Sequence, residues 1–378
     1  MKIVWFSHEG QITGGAELSL VDAAKGLSRM GHDVLVTAPQ PGSLVDLLAP
    51  VGVRTAVLPY RWWMGGNPRH PRQGRFRRLA RNLLALKRML PLLSSYRPDL
   101  AVTNTMTIPL GAVAARVARV THVWYIHEFG QEDHHLHFDW GRTASMALID
   151  RLSSRLIINS RAVAHALKES LPTGKMRIVY YAVETPTVTA AQRQADNDAL
   201  QLILVGRLVP GKGQLDAIRA VARLRDQGKT VRLTLVGSEG GNYGGVLKQE
   251  ARDLAITDQL EFVGAVSDPA NYIAKSDVAL MCSASEAFGR VTIEAMKLGK
   301  PVIGAAAGGT TELIQNRVTG LLYPPGDVAA LAEQIATLEG DRALLGNLGA
   351  NARRWAMDTF TMERYCRALT DVFGELVN

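Results

Sequence analysis

Cysteine is scarce in this sequence, and long apolar runs are missing. Only Cys282 and Cys366 occur among the 378 residues, too few for the disulfide framework of a small secreted domain. No apolar stretch reaches the roughly 20 residues of a membrane-spanning helix, and residues 1–6 begin like a buried strand rather than a signal peptide. These absences exclude a disulfide-stabilised or membrane-spanning protein and predict a cytoplasmic one.

Two motifs that direct function in other proteins are also missing. The turn at Gly14 and Gly15, after the first predicted strand, lacks the Gly-x-Gly-x-x-Gly pattern of dinucleotide-binding domains, which disfavours a nicotinamide enzyme. No Asp-x-Asp motif follows any predicted strand. The histidine spacing at residues 134–137 lacks the partner ligands of a metal site. We therefore predict neither a metal nor another cofactor.

Acidic residues are absent between Asp46 and Asp99. This interval carries eleven positive charges, and because the formal net charge of the whole chain is +8, the rest of the chain carries a net −3. The cations are Arg54, Arg61, Arg69, Arg72, Arg75, Arg77, Arg78, Arg81, Lys87, Arg88 and Arg97. Most of them fall in residues 61–93, which we call the basic segment.

The basic segment admits two interpretations. A helix predicted at residues 75–93 carries an apolar stripe, made of Phe76, Leu79, Ala80, Leu83, Leu84 and Leu90. In one interpretation the stripe packs in the core and only the polar face is basic. In the other, the segment docks on an anionic membrane, where each Lys or Arg adds about 1 kcal/mol and Trp62 and Trp63 lie at the headgroups. No nucleic-acid recognition motif accompanies the charge, so nucleic acid is not a predicted partner.

Strand-like apolar runs alternate with helical patterns twice along the chain. The first series begins at residues 2–7, and the second begins at residues 202–206, after a polar segment. This alternation is typical of α/β domains with parallel sheets, and 378 residues are long for a single core. We predict an N-terminal domain at 1–184, a linker at 185–199, a C-terminal domain at 200–356 and a terminal helix at 357–378.

Candidate ligand-binding residues cluster at residues 277–313. A strand ending at Cys282 leads into a loop with Glu286, a helix with Glu294, and a Gly308-Gly309 turn that opens another helix. Ligands bind at the carboxyl ends of strands in doubly wound sheets, and helix-terminal amides suit phosphate. A solvated helix face is the usual place of a glutamate, but two glutamates beside a Gly-Gly turn favour a binding site.

Two cations and a histidine follow other predicted strands. Arg207 and Lys212 lie in a glycine-punctuated loop after the strand at 202–206. They suit a diphosphate, although each also fits an ordinary surface position. His127 ends the apolar strand at 121–127, where site residues gather, although a lone histidine is more often structural.

The motif strings of residues 277–313 resemble the signature of glycosyltransferase family 4. They are Ser285-Glu-Ala-Phe-Gly, Glu294-Ala-Met and Gly308-Gly-Thr-Thr-Glu-Leu-Ile, and the resemblance extends over nearly the whole chain. It implies an α/β protein of the GT-B fold, with two Rossmann-like domains facing a central cleft and a terminal helix that crosses back to the first domain. Residues 181–184, Tyr-Ala-Val-Glu, depart from the Asn-Gly-Val-Asp of many relatives.

The resemblance also implies roles for individual residues. It implies catalytic roles for His127, Arg207, Lys212 and Glu286, and donor-binding roles for Gly14, Gly15, Gly206, Gly237, Val263, Ser285, Phe288, Gly289, Glu294, Gly309 and Thr310. The two cations would hold the leaving diphosphate in place of a divalent ion. Glu286 would bind sugar hydroxyls and Glu294 the nucleotide ribose. Residues 131–140 would form an acceptor-side loop.

The leading hypothesis is a retaining glycosyltransferase. It would move a sugar from a UDP-, GDP- or ADP-linked donor to a hydroxyl of a glycan, a lipid-linked acceptor or a small molecule, in polysaccharide or glycolipid biosynthesis. The alternatives are a nucleotide-sugar epimerase or hydrolase and a non-catalytic nucleotide-sugar-binding protein, because a fold does not fix a function. Docking by the basic segment would make the protein peripheral on the inner membrane leaflet.

Overall fold

The structure, a computed structural model, describes residues 1–65, 74–130, 136–188 and 199–377. The chain divides into unit 1, residues 1–182 and 361–378, and unit 2, residues 183–360. The strands are β1 (Lys2–Phe6), β2 (Asp33–Ala38), β3 (Arg54–Val57), β4 (Met64–Gly65), β5 (Leu100–Asn104), β6 (Thr121–Ile126), β7 (His137–Phe138), β8 (Arg155–Ile158), β9 (Met176–Ile178), β10 (Leu200–Val205), β11 (Val231–Val236), β12 (Leu260–Gly264), β13 (Val278–Met281), β14 (Val302–Ala305) and β15 (Gly320–Tyr323). The α-helices are α1 (Gly15–Arg29), α2 (Ser43–Leu48), α3 (Arg75–Tyr96), α4 (Leu110–Ala118), α5 (Arg142–Leu152), α6 (Arg161–Leu167), α7 (Gln214–Asp226), α8 (Tyr243–Asp253), α9 (Ala270–Lys275), α10 (Arg290–Lys297), α11 (Thr310–Leu313), α12 (Val328–Gly340), α13 (Arg342–Thr359) and α14 (Met362–Gly374).

Unit 1 is built on a parallel sheet with strand order β3-β2-β1-β5-β6-β8-β9. The central strands β5 and β6 are mostly apolar, and all their residues but the first of β6 are buried, as expected of parallel strands covered on both faces. The direction of the strand order reverses between β1 and β5. The loops after β1 and β5 therefore leave the sheet at the switch point, where α/β proteins bind ligands. The loop after β6 leaves the same edge one strand further along.

Unit 2 repeats this plan with the strand order β12-β11-β10-β13-β14-β15, again parallel throughout. It has its own apolar core, formed by β10, β11 and β13 with α7 and α12. The direction of the order reverses between β10 and β13. The prediction of two Rossmann-like domains is confirmed.

A buried lysine joins the two ends of unit 2. Lys297, on α10, is 5% exposed, and its ammonium donates to the carbonyl oxygens of Val183 at 2.5 Å and Phe360 at 3.0 Å. These are the first and last residues of the unit. Burial lowers the pKa of Lys297, and the two carbonyl oxygens supply the hydrogen bonds that a buried ammonium needs.

Unit 1 also contains the C-terminal helix α14. Thr361 caps its N-terminus by accepting a hydrogen bond from the Arg364 amide at 3.2 Å. The buried Tyr365 hydroxyl donates to the carbonyl oxygen of Ser19 on α1 at 3.1 Å. Cys366 is buried and forms no disulfide, and the same holds for Cys282 in unit 2. Burial raises the pKa of the Cys366 thiol to about 11 and that of Cys282 to about 12.

The structure corrects two expectations about the basic segment. The predicted apolar stripe of α3 does not pack in the core, because the buried face of this helix is formed by Ala85, Met89 and Leu93. Trp62 and Trp63 do not form an exposed interfacial pair. Trp63 is 5% exposed and stacks on another indole, while the half-buried Trp62 donates to the carbonyl oxygen of His8 at 2.9 Å.

Some predicted features fall outside the described residues. Arg69 and Arg72 of the basic segment, His134 and His135 of the predicted acceptor-side loop, and most of the predicted linker belong to this group. Within the described ranges, no helix combines the length and apolar character needed to cross a bilayer.

Candidate functional site

An ion pair at the switch point of unit 2 joins the loops after β10 and β13. The Lys212 ammonium lies 2.6 Å from a carboxylate oxygen of Glu286. The Glu286 side chain is only 14% exposed and that of Lys212 is 35% exposed. Glu286 is therefore not a solvated helix-face charge. An anionic ligand entering this edge of the sheet would meet an ammonium already held in place.

Two glycines allow the ends of β10 and β11 to approach beside Lys212. A Cβ at Gly237 would lie 2.0 Å from the carbonyl oxygen of Gly206, so only glycine fits there. A Cβ at Gly206 would touch the side-chain stem of Lys212 at 3.9 Å. Gly206 thus lies against the lysine, and Gly237 lets the end of β11 approach Gly206.

The Gly308-Gly309 turn packs on the backbone of Glu286. The Gly309 amide donates to the carbonyl oxygen of Glu286 at 2.7 Å. Gly308 has φ +53°, and a Cβ there would lie 2.4 Å from the same oxygen. The turn therefore fixes the loop that carries Glu286 and brings the start of α11 beside it.

Two buried hydroxyls of this region have no hydrogen-bond partner within the described ranges. They are Ser285 Oγ, beside Glu286, and Thr310 Oγ1, the first residue of α11. Buried polar groups are nearly always hydrogen-bonded, and each exception calls for an explanation. A ligand that supplies acceptors or donors here would satisfy both groups.

Contacts connect six of the predicted site residues of unit 2, namely Gly237, Gly206, Lys212, Glu286, Gly289 and Gly309. Gly289 precedes α10 with φ +99°, and a Cβ there would lie 3.4 Å from the Glu286 side chain. The remaining residues are placed less directly. Arg207 is exposed after β10, Val263 is half-buried in β12, and Glu294 is half-buried on α10. Phe288 is buried, with its ring edge-on to that of Phe360 at 6.1 Å.

In unit 1, the predicted site residue His127 belongs to a buried polar network after β6. Its Nε2 donates to Asn104 Oδ1 at 2.7 Å, and its Nδ1 accepts from the hydroxyl of Tyr181. Asn159 donates to the backbone carbonyl of His127 and to the Tyr181 hydroxyl, both at 2.9 Å. Burial lowers the pKa of His127 to about 3, so the ring is neutral. Both ring nitrogens already have partners, and a direct contact with the donor sugar stays a prediction.

A second histidine, His8, was not selected from the sequence. Its Nε2 lies 2.9 Å from a carboxylate oxygen of Glu17, and its buried Nδ1 has no hydrogen-bond partner within the described ranges. Glu17 also accepts from the Gly14 amide at 2.9 Å and from Thr13 Oγ1 at 3.1 Å. The hydrogen bond to Glu17 occupies the amide of Gly14, the residue that precedes α1. Gly15 is the first residue of that helix.

The Glu17 carboxylate fixes the orientation of His8. Burial alone would raise the pKa of Glu17, but the hydrogen bond and charge of His8, with further bonds from Thr13 and the backbone, lower it below the usual value. In the neutral imidazole, the hydrogen bond to Glu17 places the hydrogen on Nε2, which leaves Nδ1 as an acceptor. His8 follows β1 by two residues, so the strand-end reasoning that selected His127 applied to it equally.

The described residues contain no group of three or more His, Cys, Asp or Glu side chains that could hold a metal ion.

The sequence matches two family models that together cover most of the chain. Residues 13–186 match the model described as Glycosyltransferase Family 4, and residues 188–355 match Glycosyl transferases group 1. Among curated relatives, the N-acetyl-alpha-D-glucosaminyl L-malate synthase of Bacillus anthracis is 36% identical over 43% of this chain and 42% of its own. The D-inositol 3-phosphate glycosyltransferase of Salinispora arenicola is 34% identical over 46% of this chain and 40% of its own. These matches span less than half of either relative.

Solved structures match over the whole chain. HepE of Anabaena, determined in complex with UDP, is 26% identical with a TM-score of 0.83, and the match covers 100% of both chains. The sucrose-phosphate synthase of Thermosynechococcus elongatus has a TM-score of 0.78 at 23% identity over 99% of this chain and 98% of its own, which shows the fold alone. With both halves matched in order and both sheets in place, the chain belongs to glycosyltransferase family 4 and has the GT-B fold.

Proposed function

We propose that the protein is a retaining glycosyltransferase that uses a nucleotide-sugar donor. The observation that carries the proposal is the Lys212–Glu286 pair at the switch point of unit 2, beside the Gly308-Gly309 turn. A cation and a carboxylate at hydrogen-bond distance suit the two ends of such a donor, since one recognises phosphate and the other recognises sugar hydroxyls. UDP is the first donor nucleotide to test, because HepE, a relative by fold and sequence, was determined with UDP.

Donor binding would separate the two members of the pair. Lys212 would turn to the diphosphate together with the exposed Arg207, and Glu286 would accept hydrogen bonds from sugar hydroxyls. Glu294 would bind the ribose. The free hydroxyls of Ser285 and Thr310 would bond to the donor. Lys212 and Glu286 would exchange their mutual hydrogen bond for bonds to the donor, and the hydroxyls of Ser285 and Thr310 would gain partners that they lack. Desolvation of these four groups on donor binding would therefore cost little free energy.

The chemical step would proceed on one face of the sugar. The bond from the anomeric carbon to the diphosphate oxygen breaks, and a bond from that carbon to the acceptor oxygen forms on the same face. The acceptor proton passes to the leaving phosphate oxygen. Negative charge grows on the diphosphate as it departs, and preorganised cations are the usual means of stabilising such charge. In this scheme Lys212 and Arg207 act where a divalent ion acts in other transferases.

The acceptor is proposed to be a glycan, a lipid-linked sugar or a small molecule, in polysaccharide or glycolipid biosynthesis. We further propose a cytoplasmic protein that reaches the inner membrane leaflet through the basic segment. His8 Nδ1, an oriented and unpartnered acceptor in unit 1, is proposed to accept a hydrogen bond from a bound hydroxyl.

The test is incubation with labelled nucleotide sugars, with and without membrane extract. A transferase consumes donor only when an acceptor is present, an epimerase or hydrolase consumes it alone, and a binding protein consumes none. Transfer should continue in excess EDTA, because the cations are part of the chain. Activity that EDTA abolishes and a divalent ion restores would refute the metal-independent mechanism. Product anomers resolved by NMR would show whether the configuration is retained.

A further inference from the structure

Helix α3 has three faces, two of which are exposed. Successive residues turn by about 100° around an α-helix, so residues three, four and seven apart share a face. The face with Ala85, Met89 and Leu93 is buried. The other two faces contain no residue of the core of unit 1, and they differ sharply in chemistry.

One exposed face is apolar apart from Lys87, which follows Leu83 by four residues. Phe76 is 64% exposed, Leu79 is 41% exposed and Leu83 is 55% exposed, and Leu84, 63% exposed, lies at the border with the other exposed face. Scattered exposed apolar residues are normal, but a contiguous row of large ones marks an interaction site. This row is the stripe that the sequence showed, and the structure places it on the outside of the helix.

An exposed tryptophan extends the apolar row beyond the helix. Trp140, 42% exposed, packs edge-on against Phe76 with the ring centroids 6.0 Å apart. The guanidinium of Arg75 lies 4.7 Å from the Phe76 centroid and 5.1 Å from that of Trp140. An indole with a cation beside it is typical of the boundary between lipid and water.

The second exposed face is basic. Arg77, Arg81 and Arg88 lie on it at helical spacing and are exposed. Arg78 does not belong to this face, because its Nε donates to the buried carboxylate of Asp139 at 2.9 Å. It holds the fold together and is not available to a partner.

We infer that the apolar face of α3, together with Trp140, docks into an anionic lipid membrane, with the basic face against the headgroups. A helix that lies in the plane of a membrane has this arrangement, with its apolar side in the acyl boundary and a Lys- and Arg-rich side beside it. The charge is complementary, since no acidic residue occurs between Asp46 and Asp99. Other partners fit this helix less well. Binding to a nucleic acid would leave the leucines of the apolar face in water, and pairing with a second copy of the chain through α3 would bring the basic faces of the two copies together.

Docking would bring unit 1 to the surface on which lipid-linked acceptors are found. This consequence rests on the proposed transferase activity, whereas the docking can be tested without that activity. A lipid carrier would then be the class of acceptor that the protein meets at the membrane.

The test is co-sedimentation with vesicles of phosphatidylglycerol and phosphatidylcholine, compared with vesicles of phosphatidylcholine alone, at low and high salt. The charge variant is Arg77→Gln with Arg81→Gln, and the apolar variant is Leu83→Gln with Leu84→Gln. Matched controls are Arg353→Gln with Arg354→Gln, two exposed arginines of unit 2, and Val117→Gln with Val246→Gln, which are 55% and 49% exposed. Circular dichroism melting checks that every variant folds.

We expect wild type and both controls to bind the anionic vesicles. The charge variant should bind about 30-fold more weakly at low salt, and the apolar variant roughly 10-fold more weakly at both salt concentrations. Equal sedimentation of wild type with both kinds of vesicle, or wild-type binding by both variants, would overturn the inference. So would concentration-dependent self-association that the apolar variant abolishes, because the occupant would then be a second copy.

A thermal shift with UDP on the same proteins separates this inference from the proposed function. Wild type and the α3 variants should be stabilised equally by UDP. Vesicle binding without any UDP effect would count against the proposed donor and leave the docking intact. Stabilisation by UDP without vesicle binding would overturn the docking and leave the proposed donor intact.

Discussion

The two units have the same strand order around their switch points, but the polar residues there are arranged differently. In unit 1, His127 is bonded on both ring nitrogens to Asn104 and Tyr181. In unit 2, Lys212 and Glu286 hold each other at a partly exposed edge, and the Thr310 hydroxyl has no partner in the described chain. Both ring nitrogens of His127 are bonded without a ligand and the Thr310 hydroxyl is not, so a shared topology does not by itself assign a shared role.

Histidine content separates the units further. All nine histidines lie between residues 8 and 165, so unit 2 has none. Burial lowers the pKa of both His122 and His127 to about 3. Only unit 1 can therefore respond to histidine protonation.

The largest expected effect is a selective loss of stability in unit 1 at mildly acidic pH. An unfolded histidine has a pKa of about 6.5, so between pH 6.5 and about 3 the unfolded chain binds more protons than the folded one. The stabilisation is complete above pH 6.5 and is lost as the pH falls. At pH 5 each of the two buried histidines should cost about 2 kcal/mol.

Hydrogen exchange at pH 7 and pH 5, corrected for intrinsic rates, measures this difference. The amides of β6 should lose protection, while those of β13 should keep theirs. Equal loss in both units would show that the histidines do not govern the pH response.

Next in size is the loss of the Lys212 ammonium. Lys212→Ala should lower kcat by about 100-fold, the scale of one preorganised group that stabilises growing charge. Lys229→Ala is the matched control, because Lys229 also pairs with a glutamate at 2.6 Å, in the same unit and outside the candidate site. Steady-state kinetics with a labelled donor measure kcat for wild type and both variants. A kcat within a few-fold of wild type in Lys212→Ala would remove that residue from its proposed role.

The smallest effect comes from a pair of hydroxyl deletions. Tyr181→Phe leaves His127 Nδ1 without its partner and removes one of the two acceptors of Asn159, so it should lower the free energy of unfolding by about 1–3 kcal/mol. Thr310→Val removes a hydroxyl that has no partner in the described chain, so the free energy of unfolding should stay equal or rise by up to about 1 kcal/mol. Its UDP affinity should fall about fivefold, the loss of one hydrogen bond.

Urea unfolding and UDP titration measure the two quantities on the same proteins. The idea that the Tyr181 hydroxyl already serves the fold whereas the Thr310 hydroxyl awaits a ligand would fail if Thr310→Val were the more destabilised variant. It would also fail if Thr310→Val bound UDP like wild type.

Much of the fold was predictable from the sequence. Buried parallel strands are continuous apolar runs, and their alternation with helical patterns predicts a doubly wound sheet. The residues that start helices are also local features of the sequence. Ser160, for example, caps the N-terminus of α6 by accepting a hydrogen bond from the Val163 amide at 3.1 Å. The strand-end rule located Lys212 and Glu286, because parallel strands deliver their carboxyl ends to one edge.

The contacts between distant residues were not predictable. The sequence determined that unit 2 carries a cation, a carboxylate and a Gly-Gly turn, but only the tertiary structure paired Lys212 with Glu286. A periodic stripe shows that a helix has an apolar side, whereas burial depends on what packs against it, and α3 buries a different face. The sequence likewise could not separate Arg78 from Arg77, because the partner of Arg78, Asp139, lies sixty-one residues away. Composition and periodicity are properties of the chain, whereas the partner of a charge is decided by packing.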